Sequence, residues 1–286
     1  MRWTRRQLLG LGALVVSGGT LSACADTVAG TPRAARTLPR RPTSSRAPAP
    51  RQIRVAILEG DTHYDEIARA VLNKIGVDRI QTTKVKFEQM IVALQAKRVD
   101  MAAGLYPNPQ TCGGKLQWST PDNLGLTALG VPPGNPKGLT TLADVQAKGA
   151  TVSVMRDLPE HKYLTRIGLP ANKLQSFPGP IEMLDAVTKG KADCTAFNDV
   201  GLRGMVKADL AKLDVTTGFA LDGEPPLVGA YAFQSDGEFE DLVEKFNTEL
   251  RRMHRSGDWL RISESQGFTK ENVPPADLTV EKACAG

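Results

Sequence analysis

Residues 84–103 read KVKFEQMIVALQAKRVDMAA, and this stretch decides the fold class. Lys84–Phe87 predicts a short strand, Glu88–Lys97 an amphipathic helix, and Asp100–Ala103 a second strand. A strand, a helix and a strand in one run give a crossover unit, which argues for largely parallel pairing. Working outward, Ile53–Leu58 predicts a strand and Tyr64–Ile75 a helix ahead of the unit. The alternation restarts after Gly138. Leu142–Ala147, Glu160–Ile167, Ile181–Val187 and Val200–Ala211 read as helices, and Thr151–Met155 and Asp193–Phe197 as strands between them. Leu227–Phe233 reads as a further strand and Phe239–Ser256 as a long helix. The expectation is α/β with largely parallel pairing, in two lobes that are each a sheet flanked by helices. Two Pro- and Gly-rich crossings, Gly130–Gly138 and Gly223–Gly229, flank the middle block and suit two hinge strands. Residues 53–130 and 228–286 form lobe 1 on this reading, with 131–227 inserted as lobe 2.

The first fifty residues carry a different message. Arg2, Arg5 and Arg6 precede an apolar run from Leu8 to Val16 and then Leu21-Ser22-Ala23-Cys24. Charge, a short apolar segment and small residues make a secretory signal over residues 1–23. The run is shorter than the roughly 20 residues that span a bilayer. Thr4-Arg5-Arg6-Gln7-Leu8-Leu9 resembles a twin-arginine signal, and general secretion of the same peptide fits as well. Leu-Ser-Ala-Cys looks like a lipobox, which makes Cys24 the lipidation site and the new N-terminus. Residues 24–52, rich in Ala, Thr, Pro, Arg and Ser, are expected to be a disordered tether. The leader and tether also explain the charge. Residues 1–51 hold nine arginines and one acid, while the whole chain is +5, leaving 27 basic against 30 acidic residues beyond them. The basic excess suits an anionic membrane surface, and no nucleic-acid partner is expected.

Short motifs run through the rest. Phe87-x-x-Met-Ile-x-Ala-Leu leads to Lys97-Arg98-Val99-Asp100, Ala103-Gly104, Asn108-Pro109 and Trp118-Ser119-Thr120-Pro121. Met183-Leu184-Asp185-Ala186-Val187 is followed by Lys189-Gly190-Lys191-Ala192-Asp193. Gly134-Asn135-Pro136-Lys137-Gly138-Leu139 and Gly267-Phe268-Thr269-Lys270-Glu271-Asn272 complete the set. With these motifs the chain from Ile53 to Cys284 resembles the family 3 extracytoplasmic solute-binding proteins of polar amino acids and opines, and most closely their ectoine/hydroxyectoine-binding branch. The resemblance implies a type II periplasmic-binding-protein-like fold that closes on a small solute. Such a protein hands its solute to an ABC permease and its ATPase, and it is expected to be a monomer.

In that family the ligand lies between the lobes. Carried over residue by residue, the aromatic that opens the second helix is Phe87, the floor glycine is Gly104, and Tyr106 follows into the cleft. The carboxylate-gripping arginine is Thr111 here, and threonine offers no charged two-pronged donor. The second-lobe acid is Asn198, with Asp199 beside it. Met155-Arg156-Asp157-Leu158-Pro159 lacks the family's glycine and hydroxyl, and Leu58 runs to Tyr64 through Glu59-Gly60-Asp61-Thr62-His63 without the family's hairpin. A zwitterionic amino acid is therefore a poor fit, because a buried carboxylate without a cation is costly. Arg156 and then Lys115 are the substitute cations, and Glu59 and Asp61 the substitute anions.

Export places the remaining cysteines in an oxidising compartment. Related ectoine-type receptors have cysteines at both Cys112 and Cys284, and the resemblance implies that these two pair. Cys194 reads as a buried strand residue, and His63, His161 and His254 have no metal-ligand spacing. Neither an enzymatic activity nor a cofactor or metal is expected, although enzymatic members of this fold exist. The rival reading is a receptor-like lipoprotein with a degenerate site, acting in sensing or in cell-envelope protein contacts.

Overall fold

The computed structural model describes residues 52–112, 116–235, 237 and 239–284. Cys24, the leader, the tether up to Arg51 and Lys115 lie outside them. β1 (Gln52–Leu58) turns through Glu59–Thr62 into α1 (His63–Lys74), and β2 (Arg79–Val85), α2 (Phe87–Gln95) and β3 (Met101–Leu105) follow. The chain continues through α3 (Pro109–Cys112), β4 (Leu116–Trp118) and β5 (Asn123–Gly125). Next come β6 (Thr127–Val131), α4 (Leu142–Ala147), β7 (Val152–Met155), α5 (Pro159–Arg166) and β8 (Leu174–Phe177). After them lie α6 (Pro180–Thr188), β9 (Cys194–Asn198), α7 (Asp199–Lys207) and β10 (Asp214–Val215). β11 (Leu227–Gln234) returns, and α8 (Glu240–Ser256), α9 (Asp258–Ser263) and α10 (Val280–Cys284) come last.

These elements make two sheets. The first runs β2-β1-β3-β11-β4, with β5 also paired to β11, and the second runs β10-β6-β9-β7-β8. The expected parallel pairing holds for β1 with β2 and β3 and for β7 with β8 and β9. β6 and β11, the first strand inside each passage between the sheets, pair antiparallel with their neighbours. Both sheets are therefore mixed, because a chain that leaves one sheet and returns re-enters against the direction of its crossover strands.

Most elements shift by a residue or two from expectation, the helix expected over Val200–Ala211 ends four residues early at Lys207, and two other boundaries differ as well. β2 spans Arg79–Val85 in full register with β1, and Phe87 opens the helix rather than closing the strand. The mostly exposed, polar residues of this edge strand hide it from an apolar-run reading. The outward passage falls at Leu126, between β5 and β6, whereas Gly130 already pairs with Thr195 inside the second sheet. The return passage lies between β10 and β11 and includes Gly223. Thr127 and Phe219 form a single antiparallel bridge that binds the two passages together.

Packing follows the periodicities. On β1, Ile53, Val55 and Ile57 face one core with α1 and α8, and Ala56 faces another with Met90 and Leu94 of α2. α8 buries Leu242, Val243, Phe246, Leu250 and Met253 along one stripe and stops at Gly257, whose φ of 79° is left-handed. Each such large apolar side chain contributes about 1.5–3 kcal/mol when fully buried. The second sheet is likewise covered on both faces, by Val145 and Leu164 on one side and Met183, Leu184 and Leu202 on the other. A Thr141–Asp144 capping box starts α4. Among the described residues, no helix is long and apolar enough to cross a membrane.

Candidate ligand-binding cleft

Where the two passages run side by side, the protein holds a cavity of about 690 Å³. Tyr106, Leu124 and Leu227 belong to the first sheet or its loops, while Leu158, Phe197 and Phe219 come from the second sheet's side. The wall is mostly apolar, and its few polar groups stand out. Asn198 lines it and also caps α7, its Oδ1 accepting from the Gly201 amide at 3.0 Å. Glu160, on the first turn of α5, is 4% exposed, and its Oε1 accepts from Thr127 Oγ1 at 2.9 Å. Burial pushes the Glu160 carboxyl's pKa up, opposed by hydrogen bonds from its own amide and from Thr127. Lys162 also lines the cavity but is solvent-exposed.

A smaller recess of about 240 Å³ adjoins it, sharing Tyr106, Leu124, Gly125 and Asn198. The Glu59–Thr62 turn walls the recess with Gly60, Asp61 and Thr62, so the direct passage from β1 to α1 shapes the site itself. Asp61 accepts from the Tyr64 amide at 3.0 Å, and burial raises its pKa. Tyr106 is 36% exposed, yet burial of its hydroxyl raises the phenol's pKa, with Asp61 and Asp122 adding to the shift and a hydrogen bond with Tyr64 opposing it.

Behind the recess lies a buried polar network that the sequence did not disclose. Asp122 Oδ2 lies 2.8 Å from His63 Nε2, and its Oδ1 accepts from Trp259 Nε1 at 3.0 Å and Tyr231 hydroxyl at 3.5 Å. Tyr64 donates its hydroxyl to Asn123 Oδ1 at 2.7 Å. His254 bonds the Asp122 carbonyl through Nε2 at 2.8 Å, and burial lowers its pKa. The His63 ring stacks on Phe268 with centroids 4.0 Å apart. These contacts tie α1, β5, β11, α8 and α9 together beneath the recess.

The expected site residues divide accordingly. Asp61, Tyr106 and Asn198 line the cavities. Phe87 is 47% exposed and forms part of neither wall. Gly104 lies beneath Tyr64, whose ring a Cβ would strike, so its φ of +80° and missing side chain serve packing. Thr111 is occupied with Asn108, donating to its carbonyl at 3.1 Å and accepting from its amide at 3.0 Å. Asp199 corrects the reading most sharply. It is fully buried and pairs with Arg203 at 2.6 Å, and Asn272 Nδ2 donates to it at 3.1 Å. Its charge joins α7 to the C-terminal segment and is not offered to a ligand. Arg156 and Glu59 are exposed and outside both walls. Glu160 was missed because a glutamate on a first helical turn looks like an ordinary solvated charge. Thr127 sits far away in sequence, and no local signal pairs the two.

Cys112 and Cys284 form a disulfide with Cα atoms 5.9 Å apart, and Cys194 is a buried free thiol. A groove of about 750 Å³ runs beside the disulfide, between β4, α8 and α10. It draws on the first sheet's side alone and is more open to solvent, so a solute there would not bring the two sheets together. No group of three or more metal-ligating side chains occurs among the described residues.

No protein-family model matches the sequence, and no curated protein does. Solved structures do. EhuB, crystallised with hydroxyectoine, is 25% identical with a TM-score of 0.51, over 82% of this chain and 94% of its own. The L-cystine solute receptor of Neisseria gonorrhoeae, in its unliganded open conformation, is 16% identical with a TM-score of 0.66, over 78% of this chain and 95% of its own. An amino acid ABC transporter substrate-binding protein from Streptococcus pneumoniae, bound to L-arginine, is 17% identical with a TM-score of 0.51, over 76% and 93%. The fold is thus the two-lobed α/β fold of the periplasmic binding proteins, and these three structures are of solute-binding proteins.

Proposed function

We propose that this protein is the solute-capturing subunit of an ABC importer, held outside the cell membrane by a lipid on Cys24. The observation that carries the reading is the cleft of about 690 Å³ whose walls come from both sheets at the two passages. A solute touching both walls has more contacts when the lobes close than when they part. It therefore shifts the population toward the closed form, and a permease can distinguish that form from the empty one. Residues 53–130 with 228–286, and 131–227, act as the two moving lobes in this reading, shifted at the outward passage to Leu126. The solute is a small polar or amphipathic compound, ectoine-like or derived from an amino acid. It is bound without turnover, and the protein acts as a monomer.

Asp61, Tyr106, Asn198 and Glu160 are the residues assigned to the solute. A thermal-shift panel of ectoines, amino acids, amines, sugars and neutral osmolytes tests the reading. One compound should raise the melting temperature in a dose-dependent way, by about 2.7 kcal/mol of added stability at a hundred times its Kd. A Tyr106→Ala variant should need more of it. A protein that responds to nothing and is purified empty points instead to the receptor fold kept for protein contacts.

A further inference from the structure

The cleft contains an acid that the protein itself does not neutralise. Glu160 is 4% exposed, accepts from Thr127, and has no cation among the groups that act on it. An ionised carboxylate in an apolar wall is costly unless something positive meets it. The only lysine or arginine among the described wall residues of either cavity is Lys162, which remains in solvent. The adjoining recess adds Asp61, whose pKa burial also raises. The aromatic rings of Tyr106, Phe197 and Phe219 line the same space, and ring faces attract cations.

The positions that would hold a carboxylate are otherwise engaged. Thr111 bonds Asn108, and Arg156 lies outside both walls. A ligand carboxylate placed here would be desolvated beside Glu160 without a guanidinium to receive it. We infer that the cleft takes an organic cation without a carboxylate, a primary amine or diamine on an apolar chain, with its nitrogen on Glu160 and with Asp61 available to a second nitrogen. This rests on the cleft being the capture site. The apolar wall covers the carbon chain, and the ammonium supplies the charge that Glu160 lacks. A cation favours ionised Glu160, so binding tightens as pH rises through that group's elevated pKa and weakens as pH falls below it.

The experiment is calorimetric titration of the full-length chain in a neutral detergent with matched probes. These are phenethylamine against phenylalanine, cadaverine against lysine, agmatine against arginine, and ectoine. At least one amine should bind ten-fold or more tightly than its parent amino acid. Glu160→Gln should weaken that amine at least ten-fold while the unliganded melting temperature at pH 8 stays level or rises, which separates lost binding from lost fold. An amino acid or ectoine binding more tightly than every amine overturns the inference and leaves the capture reading standing. An amine unaffected by Glu160→Gln overturns it as well. If no probe binds, native mass spectrometry of the protein from its own host decides. A bound cation supports the inference, a bound neutral or anionic compound overturns it alone, and an empty protein overturns both readings.

Discussion

Replacing Cys112 and Cys284 together by serine should be among the largest stability changes available without touching the cleft. The bridge spans 172 residues of sequence. Cross-linking removes closure entropy from the unfolded chain in proportion to the logarithm of the loop, which for this span amounts to about 5 kcal/mol. Measured bridges more often contribute about 2–4 kcal/mol, since unfolded chains keep residual structure. The folded state loses little in exchange, because Val280 and Ala283 of α10 remain buried. A domain of this size shifts by about 2–4 °C per kcal/mol, so a fall of roughly 10 °C is expected. Calorimetric scans of the wild type with and without reductant, beside the double variant, measure it. The Cys194 thiol stays unreactive in the folded form, because it is buried with its pKa pushed up to about 12. A double variant that melts within about 2 °C of the wild type would rule out a stabilising bridge, and so would a reductant effect that persists in the variant.

Asp199→Ala strands Arg203 and Asn272 and should cost about 3–5 kcal/mol, seen as a lower urea midpoint, with the order of preferred solutes unchanged. Glu160→Gln should stabilise the protein at pH 8 and not at pH 4. The folded pKa is raised, so this group's contribution is intact below its unfolded pKa and is lost as pH rises through the folded one; melting curves at the two pH values check the sign. Tyr106→Ala should weaken solute binding more than Phe87→Ala, since Tyr106 lines both cavities and Phe87 neither. Asp122→Ala should destabilise by about 3 kcal/mol or more through the unpartnered His63 and Trp259 donors, measured by chemical denaturation.

Elements with a strong period are legible in the sequence. Leu142–Ala147 is observed as read, and the helix after Tyr64 and the strand at Leu227 are displaced by a residue or so. β2 was misplaced because a polar edge strand carries no apolar run. The site was partly legible. Tyr106 comes from the family resemblance and Asp61 as a substitute anion, and both line a cavity. Asp199 could not be told from Asn198 by sequence, since the sign of its role depends on Arg203 one helical turn on and on Asn272 from the C-terminal segment. The Asp122 network joins residues more than fifty positions apart, and Glu160 meets Thr127 across 33 positions. Such pairs exist only once the fold has formed.

In the proposed function a solute is held between the two sheets. The most direct measurement is a crystal structure with the compound that gives the largest thermal shift. Density is expected in the cleft, touching Tyr106 or Leu124 on one side and Phe197, Phe219 or Glu160 on the other. Density confined to the groove beside the disulfide, or a cleft that stays empty at saturating compound, would contradict it.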